Sequence, residues 1–231
     1  MNALSLAKVV VHWLEFERLC GREKLFSESS LKLPIHEFLS ADEPYEVSLE
    51  EELPGLPPAI RAAKGRKKSV DFCLRRPRGK RILKDVLESK FVNDRRPFAQ
   101  EILNDLFRLR WLRPRNQTEP CQRWLLLAGT SANLNDQVFE KGSTKQIKVP
   151  DVGLYGVLHR TVDKLHSVSV RGVSPKQTKR WEKAAEQLLQ NRMPSIFKTK
   201  LEACYPFQPL AGTDMVCIIW RIVKPARRKN K

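Results

Sequence analysis

Two apolar segments, residues 69–75 and 82–92, flank the run Arg76-Pro77-Arg78-Gly79-Lys80-Arg81, and this pair constrains the chain more than any other feature. Each is rich in strand-forming residues and is bounded by turn chemistry, so the two read as the arms of a β-hairpin. With Gly79-Lys80 as a two-residue loop, glycine first as a type II′ turn prefers, residues whose numbers sum to 159 stand opposite one another. Asp71 then faces Glu88, and Ser69 faces Lys90. Glu88 and Lys90 are two apart and leave the same face of their strand. The other face carries Val70, Phe72 and Leu74 against Leu83, Leu87 and Phe91, with Asp85 and Ser89 as its polar members. A slip of one residue would mix the two faces, so the pattern itself supports this register.

Two carboxylates brought together repel unless a cation or a shared proton lies between them. Oxygen-only ligation suits a hard divalent ion, Mg²⁺ or Mn²⁺, better than zinc. A lysine beside that ion supplies positive charge where a metal-bound water is activated or a pentavalent phosphate forms. This is the equipment of phosphodiester hydrolysis. The plainer alternative is structural: a strand aspartate paired with a nearby arginine, and Glu88 and Lys90 as an ordinary ion pair.

Charge supplies a candidate substrate. The 231 residues carry 43 Lys+Arg against 26 Asp+Glu, a formal charge of +17. Residues 1–60 hold five basic and eleven acidic side chains, whereas the remaining 171 hold 38 and 15. Between Arg61 and Lys84 eleven basic residues accompany a single acid, Asp71. Such a stretch fits a polyanion, because each phosphate neutralised releases a counterion. Lys67 and Lys68, just before Asp71, and Arg95 and Arg96, just after Lys90, fall where phosphates would approach the hairpin's charged end.

The rest of the chain frames this hairpin. Residues 3–20 read as a helix with Val10, Trp13, Leu14 and Glu17 on one side, joined there by Leu6, Val9 and Cys20. Residues 27–44 read as mixed and loop-like, with Leu31, Leu33 and Ile35 as a short extended piece, and Tyr45, Val47 and Leu49 alternate as a weak strand. Pro54, Gly55, Pro57 and Pro58 mark a surface connection. Pro97 opens a helix to about Leu112 with Ala99, Ile102, Leu103, Leu106 and Leu109 as its buried stripe. Residues 123–129 and 214–223 read as buried strands, and Ser174-Pro175-Lys176-Gln177 starts a capped helix running to about Asn191. The basic end, 224–231, reads as disordered.

Asp71 followed 17 positions later by Glu88-Ser89-Lys90 resembles the D…(D/E)-x-K signature of the PD-(D/E)XK nuclease superfamily. The element order over residues 1–130 is also similar to that superfamily's helix–strand–strand–strand–helix–strand core. The resemblance implies a restriction-endonuclease-like α/β fold, α-β-β-β-α-β, in which a mixed sheet is flanked by helices. It implies a nuclease core over 1–130, a C-terminal helix-and-strand extension over 131–223 packed on the same domain, and the basic tail. It further implies a Mg²⁺- or Mn²⁺-dependent hydrolysis of DNA in which Asp71 and Glu88 bind the metal and Lys90 assists the nucleophilic water. Glu17 would match the extra helix glutamate of many members, and Gln100 a glutamine that some use. The proline that often precedes the aspartate is Val70 here.

Other classes are disfavoured. The five cysteines are odd in number and scattered, which argues against a disulfide framework or structural zinc and fits a reducing cytoplasm. No apolar run approaches the roughly 18 residues of a membrane span, and no signal-peptide grammar opens the chain. The competing function is a non-catalytic nucleic-acid-binding subunit of a defence, transposition or repair complex. RNA processing is weaker, for want of an RNA-recognition motif. A double-strand break needs two active sites, so a homodimer or partner subunit is expected.

Overall fold

A computed structural model describes residues 1–41, 45–52, 69–76, 82–94, 102, 105–106, 108–110, 112, 120–139, 165–169, 196–208 and 211–223. Lys67, Lys68, Arg95, Arg96 and Gln100 lie outside the described residues, as do the hairpin turn 77–81, the proline-rich connection, the expected helix from Ser174 and the tail 224–231.

Helix α1 (Ala3–Leu19) begins where Asn2 Oδ1 accepts from the Ser5 N–H at 3.1 Å. It buries Ala3, Leu6, Ala7, Val10, Val11 and Leu14, an i, i+3, i+4, i+7 stripe. This stripe is rotated from the expected one: Val9 and Cys20 are exposed and Trp13 is half-buried. The helix stops at Gly21, whose φ of 73° an L side chain rarely adopts.

Residues expected to be loop-like form a second helix, α2 (Glu28–Ser40). Its start is a capping box, in which the Ser27 N–H donates to Ser30 Oγ at 3.1 Å. Leu31, Ile35 and Leu39 recur at the helical interval of four and are buried, together with Pro34 inside the helix. The alternation of Leu31, Leu33 and Ile35 suggested extended chain, but Leu33 faces solvent. Burial of the four-residue repeat outweighs the hydrogen bond that Pro34 removes.

The strands are β1 (Glu46–Glu52), β2 (Ser69–Arg75), β3 (Leu83–Val92), β4 (Gln122–Thr130), β5 (Leu165–Ser169), β6 (Ile196–Tyr205) and β7 (Met215–Val223). They form a seven-stranded mixed sheet in the order β1-β2-β3-β4-β7-β6-β5. Only β3 and β4 pair in parallel; the other neighbours are antiparallel. A parallel pair needs a crossover, and helical residues between 102 and 110 (α3) lie on it. A short helix, α4 (Ser131–Leu134), follows β4 and continues as a π-helical turn. β5 and β6 have no counterpart in the sequence reading, and they extend the same sheet beyond β7.

Helices cover both faces of the sheet. On one, Leu6, Val10 and Leu14 of α1 and Leu31, Ile35 and Leu39 of α2 pack on Phe72, Leu74, Leu87 and Phe91. On the other, Ile102, Leu106 and Leu109 of α3 pack on Cys73, Val86, Leu125 and Leu127. The molecule is thus a mixed α/β structure with its sheet flanked by helices. Among the described residues, no helix is long and apolar enough to cross a membrane.

Candidate active site

The expected hairpin register is present at Phe72↔Leu87, Cys73↔Val86 and Leu74↔Asp85. It does not persist toward the turn. The ladder shifts by one at Leu74/Arg75, giving Arg75↔Leu83, and the Arg76 N–H donates to the Ile82 carbonyl at 3.1 Å. The strands therefore enter the bend one residue out of step with a two-residue Gly79-Lys80 loop. This bulge carries Leu83 to the α3 face, opposite to the expected placement. Val70 also joins the α3 face while Phe72 packs under α1 and α2, so the two-residue alternation breaks at Asp71. Beside Asp71, between the pairs Leu49↔Phe72 and Glu51↔Val70, Glu50 takes a φ of 49°.

That irregularity opens the ladder at the charged end. β2–β3 pairing runs no further than Phe72↔Leu87. Past it, Asp71 Oδ2 accepts the Ser89 N–H at 2.8 Å and the Ser89 hydroxyl at 2.9 Å. The carboxylate thus takes a backbone donor that a longer ladder would have paired with a carbonyl. Burial raises the Asp71 pKa above the ordinary aspartate value, and the two Ser89 bonds and Lys90 only partly oppose it.

Glu88 and Lys90 leave β3 toward α3, between Val86 and Val92 of that face's core. Glu88 is 2% exposed. Its Oε1 accepts from Arg108 Nη2 at 2.7 Å, and Arg108 Nη1 donates to Asp105 Oδ1 at 2.6 Å. Burial and then the neighbouring Asp105 push the Glu88 pKa well up, against the pull of Arg108. Lys90 Nζ lies 2.8 Å from Glu28 Oε1, on the first turn of α2, and 3.2 Å from Asp105 Oδ2, on α3. Burial alone would lower the Lys90 pKa, but Asp105, Glu28 and Glu88 raise it above the ordinary lysine value. Its neighbours therefore hold Lys90 in the ammonium form.

Of the residues singled out from the sequence, Glu88 and Lys90 share the ion pairs of Asp105 and Arg108, and Asp71, whose own hydrogen bonds go to Ser89, is close enough to influence both electrostatically. Glu17 does not join them. It sits near the end of α1 in an ion pair with Arg22 Nε at 2.6 Å and accepts from Arg22 Nη2 at 2.8 Å. The carboxylates beside Lys90 are instead Glu28 and Asp105, and the second cation is Arg108. Asp105 carried a readable signal: it is three residues after Ile102, inside the apolar stripe of its helix, where a charge needs a partner. Glu28 became visible only with α2.

Among the described residues, the carboxylates of Glu28, Asp71, Glu88 and Asp105 gather with the cations of Lys90 and Arg108. All the acceptors are carboxylate oxygens, and the buried Asp105 Oδ2 is faced by Lys90 Nζ at 3.2 Å. Oxygen donors are the type a hard divalent ion takes. The present side-chain arrangement is not a cage: among the described residues, no three His, Cys, Asp or Glu side chains converge around a cation-sized space. Lys90 and Arg108 take up oxygens that a cation would use.

No family model matches the chain, no curated protein matches it, and no solved structure matches its fold.

Proposed function

We propose that the protein is a divalent-cation-dependent nuclease hydrolysing phosphodiester bonds in DNA, with a restriction-endonuclease-like core over residues 1–130. The observation that carries this reading is that Asp71, Glu88 and Lys90 lie near one another where the β2–β3 ladder opens, with Glu28 and Asp105 as further carboxylates beside Lys90. The order of elements through β4 supports it: helix, three strands, helix, strand, with α2 added after the first helix. Asp71 and Glu88 would hold Mg²⁺ or Mn²⁺. When bound, the ion lowers the pKa of a water and draws charge from the phosphate. Lys90, held protonated, stabilises the negative charge that builds on the phosphate oxygens as water adds to phosphorus and the ester P–O bond breaks. The leaving oxygen ends as a hydroxyl, its proton coming ultimately from the attacking water.

The basic stretch from Arg61 to Lys84 and the overall charge of +17 support a nucleic-acid substrate. The test compares wild type with Asp71→Ala and Lys90→Ala on plasmid and linear DNA with Mg²⁺ or Mn²⁺. Cleavage is expected to fall at least 100-fold in both variants while DNA binding, read by fluorescence anisotropy, survives. The ion pairs of Lys90 with Glu28 and Asp105, and of Arg108 with Glu88 and Asp105, favour a second reading, in which the cluster is a structural network and the protein only binds nucleic acid. Wild type that binds DNA and cuts with neither metal establishes that second reading.

A further inference from the structure

We propose that the outer face of the α1–α2 layer is where two copies of this chain pair, about a two-fold axis running along the helices; nothing in this depends on the chemistry of the charged cluster. Val9, Trp13 and Phe16 of α1 and Leu33 and Pro34 of α2 line an apolar groove of about 710 Å³. Phe16 is 54% exposed and Leu33 51%, and the Trp13 and Phe16 rings stand 6.3 Å apart, centroid to centroid, as one aromatic ridge. Single exposed apolar side chains are ordinary, but a contiguous patch of them rimmed by polar residues marks a contact surface. Val9, Phe16 and Leu33 take no part in the packing that holds α1 and α2 to the sheet, which the opposite stripes of the two helices supply.

Charge and size narrow the occupant. Residues 1–60 hold five basic and eleven acidic side chains, the wrong sign for a phosphate chain. A helix lying on an anionic membrane carries Lys and Arg over its polar face, whereas Glu15, Glu17, Glu28 and Glu37 are spread over these two. A protein surface of mixed charge is what remains. The face is also large enough: α1 has 17 residues, which makes it about 25 Å long. Two helices side by side are about 20 Å across. With side-chain relief, that area approaches the roughly 800 Å² per subunit that a stable interface buries.

A second copy supplies the complement. An isologous contact needs one patch to carry both a projection and a recess, and here Phe16 and Leu33 project beside the groove they border. Residues 20–27 join α1 to α2, a connection short enough to make them antiparallel neighbours. The first half of α1 therefore lies level with the second half of α2, and Val9 and Glu37 line the same groove. Rotation about an axis along the helices keeps that level and lays α1 of one copy over α2 of the other. Lys8 then faces Glu37 of the partner subunit, and the pair occurs twice. Both residues are exposed, and among the described residues neither has an ion-pair partner; Lys8 Nζ lies 5.7 Å from the Tyr205 ring centroid. Glu17 and Lys32, by contrast, are already paired, with Arg22 and Glu50.

The experiment is sedimentation equilibrium of the full chain, freed of nucleic acid, with circular dichroism as the folding control. Wild type is compared with F16D, L33D, K8E and the double variant K8E/E37K. Wild type is expected to be a dimer at micromolar concentration. Phe16→Asp and Leu33→Asp are each expected to raise the dimer dissociation constant at least 100-fold. Lys8→Glu should raise it about five-fold, because two exposed pairs become repulsions, and reversing Glu37 as well should bring it back to within two-fold of wild type. A monomeric wild type overturns the proposal. So does a dimer that persists unchanged in folded F16D and L33D, which puts the contact elsewhere; if one of these fails to fold, the other decides. A single charge reversal without effect, or a double variant no tighter than K8E, overturns the pairing about this axis.

Discussion

Glu88 shows how much a single position can be asked to reconcile. It is a carboxylate on a strand almost wholly removed from solvent, and burial disfavours its charged form. Arg108 and Lys90 offset part of that cost, whereas Asp105 and Asp71 add to it. The consequence for stability has a definite sign. Glu88 and Asp71 bind protons more tightly in the folded state than in the unfolded chain. Stability from these groups is therefore present below the ordinary carboxylate range and is lost as pH rises through that range toward their raised values. In metal-free protein, thermal melts are expected to show a midpoint that falls as pH rises above the ordinary carboxylate range. Glu88→Gln should make that profile visibly flatter. Mn²⁺ should restore more of the wild-type midpoint at the higher pH than at the lower, because the ion competes with protons for the same oxygens. Equal slopes for wild type and E88Q would place the penalty elsewhere.

Among the elements, the parallel pairing of β3 with β4 is the least forgiving. Val92 stands beside Gly129, and a Cβ built on Gly129 would lie 2.4 Å from the Val92 carbonyl oxygen. That obstacle is backbone, not the end of a flexible side chain. Gly129→Ala is therefore expected to destabilise by about 1–3 kcal/mol, the usual cost of overpacking, as a lower midpoint in urea with little change in slope. The same strand pair carries Glu88 and Lys90, so a shifted β3 should also weaken Mn²⁺ binding. Elements differed in how readable they were. β2 and β4 announced themselves as apolar runs, but α2 was obscured by Pro34 and by an alternating trio of apolar residues. Its real signals were Ser27 with Ser30 and the repeat Leu31, Ile35, Leu39. β5 and β6 carry little such contrast: in β6 Lys198, Lys200 and Glu202 alternate with residues buried by pairing to β7.

At the scale of the whole molecule, charge distribution governs what approaches. A chain of formal charge +17 is complementary to a phosphate chain. If nucleic acid is the partner, the logarithm of the binding constant should fall linearly and steeply with the logarithm of salt concentration, by about 0.9 per phosphate neutralised on duplex DNA. Deleting residues 224–231, which hold five basic side chains, should make that slope shallower without removing cleavage. Anisotropy titrations across a salt series read the slope directly. A slope near zero would dismiss phosphate recognition as the purpose of the charge.

What the sequence by itself determined is local and periodic. The two-residue period of β2 and β3 placed Phe72, Leu74, Leu87 and Phe91 on one apolar face, and it set the pairing of Phe72 with Leu87, since only that register buries both apolar sets. It also put Glu88 and Lys90 side by side, because neighbours on one face are a property of the strand alone. Only the tertiary structure decided who meets them. Lys90 finds Glu28 from 62 positions away, through a helix whose existence depends on burial against the sheet. Arg108 joins Ser69, Glu88 and Asp105 because the β3–β4 crossover lays α3 across the open end of the hairpin. A strand's side-chain period is written in its own backbone geometry. The partners of a buried charge are chosen by whichever distant elements pack around it, and that choice is an energy of the whole fold.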